Sequence, residues 1–326
     1  MSLYRRLLVQ AWKNTWANKY LWFFGLFAVL IGSTGELDLL FQNFNDVATK
    51  GLFPGIREYW ATGFFSAQGL TNFGNLMLAD SFSLLIVLTI LAIGFLLSCF
   101  LLWFSVVSQG ALVFNYSRLL ANKSHSYNNG LEQGMKKFWP VLGLNVIQKA
   151  IVYLAFLILA LPIVFWLYRP SIGQSLFFII AYLVFIPISI IASFVVKYAI
   201  GYVVIKGEKI VDSFRKGWEL FLANWLISVE MAFILFGISF FATLVVIIFL
   251  AMLAIPIIFL IALFSQLLGS FSAWIIILGA ITLATLTVVL AGSILATFQI
   301  SAWTGLFIEL INKGGVSKIV RIFERK

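Results

Sequence analysis

Lys149, Glu230 and Lys197 are ionisable side chains set inside long apolar stretches of the sequence. A charge within a bilayer faces a bundle interior, a partner or water, because burying it in hydrocarbon costs about 3 kcal/mol or more. Lys149 and Glu230 fall 15 and 13 residues after Gly134 and Gly217, which sit in similar local sequences, so the two are expected at similar depth. The chemistry this offers is ion pairing and polar recognition. A Lys149–Glu230 pair would line a pocket or pathway, and Lys197, with the carboxamides of Gln109 and Gln299, would complete it. The plainer alternative is a structural ion pair, or two side chains that snorkel separately to a nearby interface.

Catalytic chemistry has little to work with. Metal-assisted or nucleophilic catalysis needs converging His, Cys, Asp or Glu groups. The one histidine, His125, falls in the polar loop Asn122 to Gly130, where a solvated residue is expected rather than a ligand. The one cysteine, Cys99, lies in an apolar run and has no partner for an internal disulfide. No H-E-x-x-H motif and no phosphate-binding glycine loop after a strand occurs. The expectation is therefore no enzyme, no metal and no cofactor.

The elements that must position these residues follow from composition. Hydrophobic residues make up 62% of the 326, and charged residues only 10%, against about 25% charged in a soluble domain. Several apolar runs exceed the ~20 residues that cross a bilayer as a helix. They are continuous, whereas a membrane barrel would alternate apolar and polar residues. The fold class expected is an all-α integral membrane protein, a single polytopic domain over 1–326.

Charge placement sets the number of spans. Arg5, Arg6, Lys13 and Lys19 precede the first apolar run, and Arg118, Lys123, Lys136 and Lys137 separate the second from the third. Lys197, Lys206, Lys209, Arg215 and Lys216 separate the fourth from the fifth, and Lys313, Lys318, Arg321, Arg325 and Lys326 close the chain. Eighteen of the 22 basic residues thus share one side. By the positive-inside rule that side is cytoplasmic, both termini lie there, and the spans are even in number. A basic rim against anionic headgroups accounts for the net charge of +10. No aromatic-interleaved basic domain points to nucleic acid.

Six spans fit, at about 12–32, 82–107, 140–167, 172–203, 224–264 and 272–311. The first has a purely apolar core only from Tyr20 to Ile31, so it must borrow Trp12 to Lys19; a cleaved signal peptide is the rival reading. The fifth is long enough for two spans, but two would move the basic C-terminus outside. One helix that tilts, bends near Pro256 or rests its outer end in the interface is preferred. Gly94/Ser98, Ser189/Ser193 and Gly292/Ala296 are small-residue spacings suited to close helix contact.

Three amphipathic segments introduce apolar runs. Gln10-Ala11-Trp12-Lys13, Gln133-Gly134-Met135-Lys136 and Lys216-Gly217-Trp218-Glu219 are related, and each carries an apolar stripe, such as Ile210, Phe214, Trp218 and Phe221. Helices of this kind lie in the headgroup plane, with Trp12, Trp16, Trp139, Trp218 and Trp225 as interfacial anchors. The chain then reads as three hairpins, about 1–120, 121–207 and 208–313, each preceded by a cytoplasmic amphipathic helix. An outer loop spans about 32–81, with an aromatic, glycine-rich stretch from Phe53 to Phe73, and a short basic tail covers 314–326. The loop is expected to cover the outer mouth of the bundle or to dock a partner.

The basic, aromatic N-terminal segment, the long outer loop and the stretch "IVDSFRKGWELFLANW", its specific part from Ser213 to Trp225, resemble a known family. This is the membrane-domain family associated with glycerophosphoryl diester phosphodiesterases and the YciC-like bacterial inner-membrane proteins. The resemblance implies a six-span module of a bacterial inner membrane without the family's catalytic barrel. Two function classes stay open: a non-enzymatic module that binds lipid or a membrane protein partner in envelope maintenance, and a transporter or permease for a small or amphipathic solute. Internal repeats occur in transporters. Three parallel hairpins also resemble mitochondrial carriers, but Pro162 and Pro256 are followed by Ile-Val and Ile-Ile, where that family places a charged residue. Oligomeric state is open.

Overall fold

The computed structural model describes residues 3–29, 71, 81–166, 172–268 and 270–313. The tail 314–326 and the outer loop, apart from positions 71 and 81, lie outside the described residues, together with the expectations attached to them. The described elements are α1 (Leu3–Ala17), α2 (Tyr20–Ala28), α3 (Ser81–Leu120), α4 (Tyr127–Lys136) and α5 (Phe138–Trp166). They continue with α6 (Ile172–Gly201), which runs into a π turn (Tyr202–Lys206), then α7 (Ile210–Ala223), α8 (Trp225–Leu268) and α9 (Ser270–Lys313). No strand occurs among the described residues. Five stretches are long and apolar enough to cross a membrane: Leu85–Leu120, Phe138–Ile158, Leu183–Lys206, Trp225–Phe264 and Trp274–Asn312.

The segment expected as the first span, about 12–32, is not one continuous helix. The chain breaks at Asn18–Lys19, where Asn18 Nδ2 donates to Asn14 O at 3.0 Å and Trp22 Nε1 reaches back to Thr15 O at 2.9 Å. Such side-chain bonds compete with the helical ladder. Trp12 to Ala17 therefore belong to the separate helix α1 and do not lengthen the short apolar core. The second span also runs further than expected, to Leu120 instead of about 107. The fifth is one continuous helix with Pro256 inside it. At 1.5 Å per residue, α8 and α9 each extend about 66 Å, roughly twice a hydrocarbon core.

The chain divides into two compact units, Met1–Thr34 with Ser105–Lys326, and Gly35–Phe104. In the smaller unit the described helical stretch exposes nearly every side chain, Phe82, Ile90, Phe95 and Leu96 among them. In the larger unit burial gathers at the helix ends that carry the basic residues. One cluster joins Tyr4 and Leu7 to Phe194, Tyr198, Met231, Leu306 and Phe307. A second joins Leu21 and Phe24 to Leu112, Leu144, Val196 and Ile200. Further along, Phe240 to Phe259 of α8 and Trp274 to Leu290 of α9 present large apolar side chains outward.

The amphipathic helices dock by their smallest residues. Ala11, Gly134 and Gly217, which correspond in the sequence motif, are all buried. A Cβ on Gly134 would fall 2.3 Å from the Val107 carbonyl oxygen of α3, and one on Gly217 would fall 2.8 Å from that of Val195 in α6. Both distances are shorter than side chains tolerate, so glycine is what lets backbone meet backbone. One turn earlier, Gly130 faces the Asn115 carboxamide, and a Cβ on Gly305 of α9 would lie 3.5 Å from Cδ2 of Leu7, one turn before Ala11. Val107 and Val195 lie in matching local sequences, Ser105-x-Val107-x-Gln109-x-Ala111 and Ser193-x-Val195-x-Lys197-x-Ala199. The docking face is thus rotated from the apolar stripe: Ser213, Gly217 and Phe221 are buried, while Trp218 is exposed.

The small-residue spacings fare unevenly. Ser189 and Ser193 are buried, but a Cβ on Gly94 or Gly292 would meet no atom of the described residues within 4 Å. Another tight crossing lies at Gly25 of α2, whose Cβ would be 2.3 Å from Ser293 O and 2.1 Å from Thr297 Oγ1 of α9.

Candidate functional site

Lys197, Gln109 and Gln299 come together. They line one cavity of about 30 Å³ between α3, α6 and α9, with Trp303, Thr304 and Phe307 on its apolar side. The same docking register places Gln109 and Lys197 one half-turn beyond Val107 and Val195 on their helices, so both point toward the shared centre. Gly201 allows the close fit, since a Cβ there would fall 2.7 Å from the Phe307 ring.

Most polar groups in the cavity wall are held. Gln109 Oε1 accepts from Asn145 Nδ2 at 2.8 Å, and the same nitrogen donates to Val141 O at 2.9 Å. Gln299 Nε2 donates to Ser239 Oγ at 2.5 Å, tying α9 to α8. The Lys197 ammonium stands 4.7 Å from the centre of the Trp303 ring, where the negative face of the π system attracts it. Gln299 Oε1 is buried and has no hydrogen-bond partner among the described residues. An acceptor in this state costs about 1–3 kcal/mol unless it is solvated, and the cavity has room for a water.

The other ionisable candidates stand elsewhere. Lys149 is exposed on α5, in line with the exposed Val146 and Tyr153. Glu230 is half-buried on α8, and its carboxylate accepts from the Tyr4 hydroxyl of α1. Beside it, Tyr198 and Ser228 share a 2.6 Å hydrogen bond. The pairing of Lys149 with Glu230 is not what gathers the site; Lys197 and the two glutamines are. Trp303, Asn145, Ser239 and Tyr4 were not singled out in the sequence. Asn145 and Ser239 could have been found as polar residues within apolar helices, whereas Trp303 and Tyr4 carry no such mark.

His125 differs from expectation. It is half-buried, its Nδ1 lies 3.0 Å from the Tyr20 hydroxyl, and the two rings stack with an interplanar angle of 12°. Cys99 is exposed on α3. No group of three or more His, Cys, Asp or Glu side chains suited to a metal occurs among the described residues. All five anchor tryptophans, Trp12, Trp16, Trp139, Trp218 and Trp225, are exposed. On the surface, Glu208 takes a 2.6 Å hydrogen bond from Lys216 and thereby raises the lysine pKa above its ordinary value.

The arrangement can hold a cation against an aromatic face and exchange hydrogen bonds with a water-sized guest. It offers no nucleophile paired with a base. No family model, curated protein or solved structure matches this chain.

Proposed function

We propose that this chain is a non-enzymatic membrane module of a bacterial cytoplasmic membrane, with six spans in three hairpins and both termini on the cytoplasmic side, that binds membrane lipid at its cytoplasmic rim and serves envelope maintenance. The observation that carries the reading is the repeated docking of the amphipathic helices. Ala11, Gly134 and Gly217 turn the same small-residue face inward, while Trp12, Met135 and Trp218, the next residue in each case, are exposed. A helix held by one face, with an aromatic or thioether side chain and lysines or arginines on the other, suits the headgroup layer. The resemblance to the phosphodiesterase-associated membrane family agrees with this reading and forms part of it.

The central cavity then acts as a polar seal where three spans meet. Its volume of about 30 Å³ is enough for a water. Native mass spectrometry of the protein in mild detergent tests the reading, comparing wild type with Lys197→Gln, Lys149→Gln and Glu230→Gln. The expected result is co-purifying phospholipid retained equally by all four proteins. A small solute present in wild type and lost in Lys197→Gln would replace this reading with transport, and a wild type stripped of lipid would remove it.

A further inference from the structure

Lys137, Lys206 and Lys209 lie at one turn, around Glu208, and form no ion pair among the described residues. The turn closes α6: after the π turn, Gly207 adopts a left-handed conformation with φ of 75°, a geometry that a Cβ would strain. The Lys137 ammonium, from the hinge between α4 and α5, lies 3.9 Å from where a Cβ on Gly207 would be. Lys206 and Lys209 flank that glycine in the chain. The first turns of α5 and the start of α7 are in contact here, since a Cβ on Gly143 would lie 3.3 Å from Ile210 Cδ1.

The nearby carboxylates are already committed. Glu132 pairs with Lys136 at 2.6 Å, Glu208 with Lys216 at 2.6 Å and Asp212 with Arg215 at 3.5 Å. Lys137, Lys206 and Lys209 make no ion pair among the described residues. Three like charges at one turn repel one another, so the site gains when an anion sits among them.

Depth identifies the anion. One candidate span begins at Phe138 and another ends at Lys206, so the lysines stand where hydrocarbon gives way to water. Two residues along the chain from Lys137 and Lys209, Trp139 and Val211 are 75% and 79% exposed. A headgroup phosphate with glycerol and acyl carbons beneath it matches that layout: cations at the surface, an indole and a branched aliphatic group just below.

We propose that Lys137, Lys206 and Lys209, with Trp139 and Val211, form a binding site for the phosphate headgroup of an anionic phospholipid. The proposal rests on the lipid-binding reading above and names the lipid class and the site. Lys136 and Arg215, paired with their own acids, contribute little beyond the general field.

The test uses the full chain in mild detergent micelles doped with equal amounts of phosphatidylglycerol and phosphatidylcholine, with bound lipid counted by native mass spectrometry. Wild type is expected to retain phosphatidylglycerol preferentially. The K137Q/K206Q/K209Q variant is expected to lose that preference by roughly fivefold per lysine. The corresponding Lys→Arg triple variant should keep it, and a control triple variant at Arg5, Lys13 and Lys136 should lose clearly less of it than the site variant. If the control loses as much as the site variant, the basic rim acts diffusely and the site is overturned while lipid binding stands. If wild type binds both lipids equally, an anionic-lipid site is excluded; if it binds neither, the lipid reading fails as well. Retention by the site variant at the wild-type level overturns the site alone.

Discussion

Gly134 and Gly237 are both helical glycines of this chain, yet their surroundings have almost nothing in common. A Cβ on Gly134 would strike a carbonyl oxygen at 2.3 Å, whereas one on Gly237 would meet nothing within 4 Å among the described residues. The contrast extends to the helices themselves. At the basic ends, backbones cross closely, side chains are buried, and Gln109, Asn145, Ser239 and Gln299 find partners on other helices. Beyond Gly237, α8 presents Phe240, Phe241, Phe249, Ile255 and Phe259 outward. The basic ends are thus specified by interlocking shape and hydrogen bonds, which tolerate little change. The far halves are specified mainly by being apolar, and many sequences satisfy that demand.

The two regions should answer the same kind of substitution differently. The largest effect is expected from charge on the apolar stretch: Phe249→Asp should oppose membrane insertion by about 3 kcal/mol, read as loss of inserted protein on membrane fractionation, while Phe249→Leu should insert normally. Next come the glycines. Gly134→Ala and Gly25→Ala should each destabilise by about 1–3 kcal/mol through overpacking, whereas Gly237→Ala and Gly279→Ala should be neutral or slightly stabilising because alanine favours helix. Thermal unfolding in one detergent compares all four.

Within the basic ends, Lys197→Met keeps most of the volume and removes the cation from Trp303, with an expected loss of about 0.5–2 kcal/mol by the same measurement. Gln299→Leu should cost less than Gln109→Leu, because it removes an unpartnered buried acceptor along with one hydrogen bond, while Gln109→Leu leaves Asn145 with only its bond to Val141 O. The smallest effect concerns pH. The pKa of Lys216 is raised by its hydrogen bond to Glu208, so its contribution is complete below the ordinary lysine value of about 10.4. It is lost as pH rises through the higher folded value. Glu208→Gln should abolish a slight alkaline loss of stability measured by unfolding between neutral and strongly alkaline pH, and leave behaviour at neutral pH nearly unchanged, since the lysine is largely solvated.

The helical class and the positions of the amphipathic segments were legible because composition and periodicity report them directly. Depth along a helix was legible too: Lys197, Gln109 and Gln299 were expected near one level, and they share a cavity. Rotational facing was not. A helix that is apolar on every side has no stripe to say which way Lys149 points, and it points away from the packed centre, while Glu230 lies one residue from the buried Met231. The break at Asn18 was hidden because two local side-chain bonds decide it. Gly134 and Gly217 marked a recurring motif in the sequence, but the reason for glycine there, a neighbouring carbonyl at contact distance, is a property of two helices and not of one.

Cysteine accessibility tests the central claim most directly, namely that the packed basic ends all lie on the cytoplasmic side of the membrane. On a Cys99→Ser background, single cysteines at Lys13, Ser124 and Glu219, all exposed, would be treated with a membrane-impermeant maleimide in sealed vesicles of known orientation. The account predicts that all three label in inside-out vesicles and none in right-side-out vesicles. Labelling of any one from the opposite side would contradict the three-hairpin arrangement, and with it the shared lipid-facing rim.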